Sequence, residues 1–495
     1  MTTDLTNDQH HGPTGPRMWT LAICIGGSLL MALALGWGLI AGHHSEHDHS
    51  DAPTGWIIGI LPFIVILGAI ALLPLIPKTA GWWHSNLSRF LISVLCGLTT
   101  LLYVWIVQGW DSVGLTLDHA VLQEYVPFIV LLFCLYVISG GIHIGGDLRA
   151  HPITNTAIIA LGAGIASFIG TTGASMLLIR PLLNSNRERT HKVHTIVMFI
   201  FLASNIGGTL LPIGDPPLFL GYLAGVPFFW TLQLWGPWVL ACVMLLIIYF
   251  VWDSLLYKRE PEAVRLFDKA NVQPLRLEGG LNIIWLLGAV ACVAFISPGR
   301  IVPMTTLVAF DFLRELLMLF FVVLSLLTTK RHVREANHFD YHAIIEVAAL
   351  FIGIFIAMQV PLAVLKAQGE NIAAALSQPW MYFWITGGLS SVLDNAPTYL
   401  VFFRLAESGT APGAQGALEL VGGGWVDESR LIFISLGAVF MGAMTYIGNG
   451  PNFMVKAIAE QSGVRMPSFF GYLIRYSIPV LIPVFVVVTL AMTLL

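Results

Sequence analysis

The sequence predicts an all-α protein that crosses a membrane many times, and three observations support this fold class. First, 56% of the 495 residues are hydrophobic and only 11% are charged, whereas a soluble domain carries about 25% charged residues. Second, the mean hydropathy is +0.80. Third, apolar runs recur along the chain, and about 20 such residues are enough to cross a bilayer as a helix. The net charge of −4 gives no indication of a nucleic-acid partner.

The apolar runs predict about 11 transmembrane helices and two re-entrant hairpins, two of the helices being broken. Residues 1–17 are polar and are expected to form a disordered cytoplasmic N-terminus. The run that follows is longer than the apolar part of a signal peptide, so it is interpreted as the first span. Spans are expected near 18–41, 56–76, 87–108, 125–145, 193–223 (broken), 228–252, 281–297, 304–328, 342–366, 430–460 (broken) and 467–494, with hairpins at 153–180 and 379–403.

Lys and Arg residues predict the orientation, because they are enriched in cytoplasmic loops. They cluster around the hairpin at 153–180, in the loop at 253–280 and again at Lys330–Arg334, whereas the presumed loops at 109–124 and 222–234 have none. This alternation predicts a bacterial-type cytoplasmic (inner) membrane protein with its N-terminus inside and its C-terminus outside. It also predicts that the two hairpins enter from opposite sides.

Two pairs of matched motifs predict an inverted repeat. Ile213-Gly-Asp-Pro-Pro-Leu-Phe219 matches Ile447-Gly-Asn-Gly-Pro-Asn-Phe453, 234 residues later (447 − 213). The hairpin centres beginning at Ser167 and Ser391 match at a spacing of 224 (391 − 167). Inverted repeats with broken helices are typical of secondary transporters. The predicted domains are scaffold helices at 18–124, a first half at 125–252, a cytoplasmic loop at 253–280, connecting scaffold helices at 281–341 and a second half at 342–495.

The first broken helix carries the features expected of an ion site. Gly214 permits unusual backbone angles, and Pro216 and Pro217 remove two amide donors. Asp215 in this motif and Asp394 in the second hairpin are charges that the membrane interior penalises, which favours a functional role. We expect both to bind Na⁺ when ionised and to release it when protonated. The alternative is that each Asp caps a helix.

Hydroxyls, amides and carbonyls near the two carboxylates are suitable ligands for a hard cation. Their clustering in both repeats predicts a shared ion or substrate site. The predicted ligands are Thr171, Thr172, Asn205, Gly214, Asn395, Thr398, Asn449 and Asn452.

Two other groups of ionisable residues could have either a structural or a functional role. Asp311, Arg314 and Glu315 are spaced to share one helix face, and a structural ion-pair cluster is favoured over a functional one. In a short His-rich loop, His44, His47 and His49 could bind a metal, although a solvated loop is the alternative. Catalytic motifs such as H-E-x-x-H or G-x-S-x-G are absent from the sequence. We therefore expect a protein that is not an enzyme and has no cofactor, with an intramembrane enzyme or a channel as remote alternatives.

The motifs Ser204-Asn-Ile-Gly-Gly and Ile213-Gly-Asp-Pro-Pro217, with Leu393-Asp-Asn-Ala-Pro-Thr398, resemble those of the ion transporter superfamily. They are most similar to the branch of arsenite permeases and NhaD-type sodium/proton antiporters, also described as citrate-transporter-like. The resemblance covers about residues 55–495. It implies a scaffold domain that forms a homodimer and a transport domain built from two hairpins and two broken helices.

Within this superfamily, the sodium-coupled carboxylate transporters have Ser-Asn-Thr motifs at both hairpin tips. Here the tips read Gly170-Thr-Thr-Gly-Ala174 and Asp394-Asn-Ala-Pro-Thr398, so neither motif is intact. The sequence therefore favours a Na⁺/H⁺ antiporter that works by alternating access in the lipid bilayer, with Na⁺ or H⁺ as coupling ions. The alternative is an ion-coupled carrier of organic anions such as citrate, or of arsenite, which would use the positive ends of the half-helices.

Overall fold

The computed structural model describes residues 53–83, 85–270, 272–296 and 308–494. The predictions for the N-terminus at 1–17, the first span at 18–41 and the ligands His44, His47 and His49 fall outside these residues. Within them the chain is predominantly helical, and the predicted all-α class is confirmed.

The helices follow one another along the whole described chain. In order they are α1 (Trp56–Leu72), α2 (Pro77–Trp83), α3 (Asn86–Gln108), α4 (Trp110–Leu117), α5 (Val126–Ser139), α6 (Pro152–Ser185), α7 (Val193–Leu202), α8 (Pro216–Leu223), α9 (Trp235–Lys258), α10 (Glu262–Ala270), α11 (Leu281–Phe295), α12 (Leu313–Thr328), α13 (Arg331–Ala336), α14 (His342–Ala357), α15 (Gln359–Ala375), α16 (Pro379–Ser390), α17 (Asn395–Ser408), α18 (Glu428–Met441), α19 (Gly450–Gln461), α20 (Phe469–Tyr472) and α21 (Ile478–Leu494).

Shorter elements join these helices. Turns of 3₁₀-helix lie at Ile206–Thr209, Phe228–Leu234 and Gly442–Met444, and π-helical turns lie at Asp118–Tyr125 and Leu473–Ser477. Two small antiparallel strand pairs are formed by β1 (His143–Asp147) with β2 (Gln273–Glu278) and by β3 (Ala417–Glu419) with β4 (Trp425–Asp427). In the first pair, His143 faces Glu278.

Six helical segments of the described chain are long and apolar enough to cross a membrane, which supports a multi-pass membrane protein. They are Asn86–Gln108, Trp110–Ser139, Pro152–Ser185, Phe228–Lys258, His342–Glu370 and Phe469–Leu494. Many of their large apolar side chains are exposed, for example Ile106 at 73%. Such faces suit contact with lipid.

The prediction of a loop at 109–124 is wrong, because α4 and the π-helical turn continue directly into α5. Val113, Ala120 and Glu124 are buried at intervals that place them on one side of a helix. The absence of Lys and Arg had suggested a loop outside the membrane, but helical spacing of the buried residues decides the local structure.

Helix α6 doubles back on itself at Gly170. This residue has φ 77° and ψ 151°, outside the helical region. The Asn155 amide nitrogen lies 2.9 Å from the Asn186 amide oxygen, although these residues would be about 46 Å apart along a straight helix. The two arms of α6 therefore lie side by side, and the length of this helix does not measure a single membrane span.

Helices α16 and α17 also fold back towards each other. The Arg430 guanidinium lies 5.6 Å from the centre of the Tyr382 ring, near the start of α16. It also lies 3.4 Å from the carbonyl oxygen of Gly409, just after α17. One side chain thus contacts both ends of the segment.

Helices α3 and α14 pack closely through small residues. The Gly353 amide donates to the Ser93 hydroxyl at 2.8 Å, and a Cβ at Gly353 would lie 2.3 Å from the Ser93 carbonyl oxygen. Close approach of this kind is typical of helix pairs in membranes. At one end, Arg89 pairs with Glu346 at 2.7 Å.

The predicted three-residue charge cluster is reduced to a pair. The Arg314 guanidinium contacts the Glu315 carboxylate, with Nε to Oε1 at 2.8 Å, and both residues are buried. Asp311 is exposed and precedes α12, which begins only at Leu313. Because Asp311 is not on the helix, the assumed spacing on one face does not apply to it.

Candidate functional site

The two break motifs have the same backbone conformation. Asp215 has φ −141° and ψ 142°, and its counterpart Asn449 has φ −154° and ψ 139°. Each immediately precedes a helix with proline near its start. The helix α8 begins with Pro216 and Pro217, and α19 has Pro451 as its second residue. Each also follows a 3₁₀ turn. The repeat read from the sequence is therefore matched by local geometry.

The Asp215 carboxylate is the centre of a buried hydrogen-bond network. It is 1% exposed. Its Oδ1 accepts from the Thr171 hydroxyl and from the Asn449 amide nitrogen, each at 2.9 Å, and its Oδ2 accepts from the Asn395 amide nitrogen at 2.7 Å. All three of these donors are neutral, so the hydrogen bonds stabilise the carboxylate without an ion pair.

Equivalent positions of the two repeats supply these four residues. Thr171 and Asn395 follow the two hairpin tips and are 224 residues apart, while Asp215 and Asn449 follow the two breaks at a spacing of 234. Both tips and both breaks thus meet at one carboxylate. The sequence predicted all four as ligands, and the structure brings them together.

A second layer of amides fixes the orientation of Asn449. Its Nδ2 lies 3.2 Å from both the Asn205 side-chain oxygen and the Ser204 carbonyl oxygen. Asn205 in turn donates to Asn452 at 2.6 Å, and Asn452 donates to the Gly442 carbonyl oxygen at 2.9 Å. These bonds satisfy a carbonyl freed at a break, where an unsatisfied group would be costly in a membrane.

Gly214 is required for close packing and not for an unusual backbone angle, which corrects the prediction from the sequence. It is not among the residues with positive φ. Its carbonyl oxygen accepts from the Thr171 amide at 2.8 Å, and an added Cβ would lie 2.2 Å from the Gly208 carbonyl oxygen. In the other repeat, a Cβ at Gly448 would lie 2.6 Å from the Gly442 carbonyl oxygen.

One polar atom at the centre is unsatisfied within the described part of the chain. Asn395 is 1% exposed, and its side-chain oxygen accepts no hydrogen bond there. The amide nitrogen of Asn395 donates to the Asp215 carboxylate, which leaves the oxygen on the other side of the amide group. Buried polar atoms usually have partners. An amide oxygen, a carboxylate and a hydroxyl together form a ligand set that suits a hard cation.

The remaining predicted ligands lie outside this network. The Asp394 side chain caps α17 by accepting from the Ala396 amide at 3.0 Å. The Thr398 hydroxyl donates to the Asp394 carbonyl oxygen at 2.9 Å, and Thr172 makes none of the hydrogen bonds to Asp215 that the structure records. Asp215 cannot cap α8 in the same way, since Pro216 and Pro217 have no amide hydrogen.

This difference predicts separate roles for the two aspartates. Asp394→Ala should destabilise the protein by about 1 kcal/mol, the usual effect of losing an N-cap, whereas Asp394→Asn should retain the cap. Thermal unfolding of the purified variants measures the difference. If Asp394→Asn unfolds like the wild type but loses transport, its charge has a function beyond capping.

A buried polar cluster was missed in the sequence. The Asp253 carboxylate lies 2.7 Å from Arg189 and 2.8 Å from His194, and it accepts from Asn155 at 3.3 Å. Because Asn155 also contacts Asn186, the cluster joins both ends of the first hairpin. The available signal was Asp253 itself, a carboxylate within an otherwise apolar run.

Comparisons with known proteins agree with a transporter. Two relatives, one from Mycobacterium bovis and one from Mycobacterium tuberculosis, are each named an uncharacterized transporter and are 24% identical over 336 residues. That alignment covers 66% of this chain and 73% of each relative. The predicted transporter class is thereby supported, while the arsenite-permease and NhaD-type branch stays a prediction. A family model described as "Putative citrate transport" matches residues 52–493, and the chain belongs to this CitMHS_2 family of membrane transporters.

Proposed function

We propose that this transporter is a Na⁺/H⁺ antiporter in which Asp215 alternately holds the cation and the proton. The observation that carries the proposal is a buried carboxylate whose recorded hydrogen bonds all come from neutral donors, one on each of three other segments. An ionised group of this kind inside a membrane is costly. Binding of either Na⁺ or H⁺ neutralises it, so the two ions compete for one site.

The ligands for the cation come from both halves of the chain. Asp215 supplies the charge, Asn395 supplies an amide oxygen that has no partner among the described residues, and Thr171 supplies a hydroxyl oxygen. Protonation of Asp215 removes the charge that holds the cation. The site therefore releases Na⁺ when it takes up H⁺, which is the exchange that an antiporter requires.

Alternating access follows from the arrangement around Asp215 if the hairpins are re-entrant and enter from opposite sides. Thr171 lies at the tip of the first hairpin and Asn395 beside the tip of the second. Displacement of one tip would expose the carboxylate to one side of the membrane, and displacement of the other tip would expose it to the opposite side.

A second candidate function is ion-coupled transport of a citrate-like carboxylate or of arsenite. The description of the family favours the carboxylate. In addition, helices α8, α17 and α19 and the second arm of α6 all begin at or next to the network. The positive ends of the helix dipoles attract anions. In this mode, Asp215 would hold the coupling ion.

Proton flux in vesicles separates the two modes. Vesicles that contain the purified protein and a preset pH gradient receive Na⁺, Li⁺ or K⁺, and uptake of labelled citrate or arsenite is measured in parallel. Cation/proton exchange predicts collapse of the gradient by Na⁺ or Li⁺. Anion uptake without a cation response would instead support the second candidate.

The inverted repeat predicts opposite sides for two exposed loops. We expect Arg331→Cys to react with an impermeant thiol reagent only from the cytoplasmic side, and Gln415→Cys only from outside. Both positions are exposed, and the cysteines of the described chain are buried, so we do not expect those cysteines to react. Labelling of both positions from the same side would contradict the inverted arrangement.

A further inference from the structure

A polar cavity of about 430 Å³, including its open mouth, lies apart from the Asp215 network. Its polar lining residues are His143, Arg180, Asn184, His338 and Ser462. The lining contains neither Asp nor Glu and includes none of the residues that bond to Asp215. Arg180 follows Thr171 by nine residues on the same arm of α6, a distance of about 13 Å along a helix.

Arg180 differs from the buried arginines of the described chain. Arg89, Arg189 and Arg314 each pair with a carboxylate. Arg180 is only partly exposed, and no ion pair or hydrogen bond to its guanidinium is found among the described residues. A partly desolvated charge without a partner is unfavourable unless something else neutralises it.

The two histidines are held in the cavity wall. The His143 Nδ1 lies 2.8 Å from the Asn337 side-chain oxygen, and Asn337 also donates to the Gly140 and Ile142 carbonyl oxygens. His338 has φ 44°, a conformation that residues other than glycine seldom adopt. Such strained residues cluster at functional sites.

We propose that this cavity binds a small polyvalent oxyanion, whose carboxylate or phosphate groups pair with the Arg180 guanidinium. The planar guanidinium matches both groups with two parallel hydrogen bonds. Imidazole, amide and hydroxyl groups from His143, His338, Asn184 and Ser462 supply further polar contacts around the anion. This site is distinct from the proposed cation site and does not require that Asp215 exchange ions.

Calorimetric titration of the purified full-length protein tests the site, with citrate and inorganic phosphate as separate probes. Arg180→Gln should raise the dissociation constant of the probe that binds at least about tenfold, as expected for loss of charge-assisted hydrogen bonds. Arg187→Gln is the matched control, because its side chain is 77% exposed and lies outside the cavity lining. Equal melting temperatures of the two variants establish that both are folded.

Asp215→Asn separates this proposal from the proposed antiport. Anion binding should persist in that variant even where proton exchange is lost. Absence of binding for both probes, unchanged binding in Arg180→Gln, or loss of binding in Asp215→Asn would each overturn the anion site. Titration in nanodiscs distinguishes the source of the anion. Weaker binding in phosphatidylcholine nanodiscs than in phosphate-free maltoside micelles indicates a competing lipid phosphate, and equal binding indicates a free carboxylate or phosphate.

Discussion

Asp215→Asn is expected to lower cation-dependent proton exchange in vesicles at least about 100-fold, the effect of losing about 3 kcal/mol of interaction with a charged group. The substitution keeps the shape of the side chain but removes the charge that binds Na⁺ and the group that binds H⁺. It also replaces one of the two acceptor oxygens by a donor, which then faces the amide nitrogen of either Asn395 or Asn449. The measurement is the initial rate of gradient collapse after addition of Na⁺.

The matched control is Asp427→Asn. Asp427 caps α18 by accepting from the Arg430 amide at 2.8 Å, and asparagine is an equally good cap. This variant removes a carboxylate away from the network and should retain exchange. If Asp215→Asn exchanges protons at the rate of the control, Asp215 is not the exchange site.

Gly214→Ala should destabilise the protein by about 1–3 kcal/mol, the usual cost of overpacking. The new Cβ would lie 2.2 Å from the Gly208 carbonyl oxygen and 2.9 Å from the Ser167 Cα. Both are backbone atoms, so relief requires both a change within the break, where Gly208 lies, and movement of the first hairpin tip away from it. Since Thr171 lies beside that tip, we expect exchange to fall together with stability. Thermal unfolding and proton flux measure the two effects.

Two other glycines provide comparisons for this variant. Gly448→Ala should be destabilising for the same reason, because its Cβ would lie 2.6 Å from the Gly442 carbonyl oxygen. Gly164→Ala, in the same hairpin as the tip, meets no atom within 4 Å and should be neutral or slightly stabilising. A Gly214→Ala protein that unfolds at the same temperature as Gly164→Ala would contradict the packing at the centre.

The convergence of Thr171, Asp215, Asn395 and Asn449 could be predicted because its signals are local. Glycine, proline, charge and amide residues interrupt apolar runs at matched spacings, and each interruption marks backbone that must be satisfied inside the membrane. The different roles of Asp215 and Asp394 could also have been predicted from the sequence. Pro217 has no amide hydrogen at the position where Ala396 supplies the amide that the Asp394 cap uses.

Other features depend on tertiary contacts that the sequence does not reveal. The Asp253 cluster joins residues from α6, α7 and α9 and the loop between α6 and α7, and no single motif contains them. Within the described residues, the Asn395 oxygen and the Arg180 guanidinium have no recorded partner, and this becomes visible only when the surrounding side chains are placed. The pattern of basic residues also misled at residues 109–124, because a helix without Lys or Arg resembles an outer loop without them.

Proton release on addition of Na⁺ tests the central role of Asp215 most directly. Purified protein is held in weakly buffered detergent solution near neutral pH, and a pH dye follows the response to NaCl, with choline chloride as the ionic-strength control. If one carboxylate holds either ion, Na⁺ displaces protons from the wild-type protein and the response disappears in Asp215→Asn. Proton release of the same size from both proteins, or none from the wild type at any pH at which it transports, would contradict competition of the two ions at Asp215.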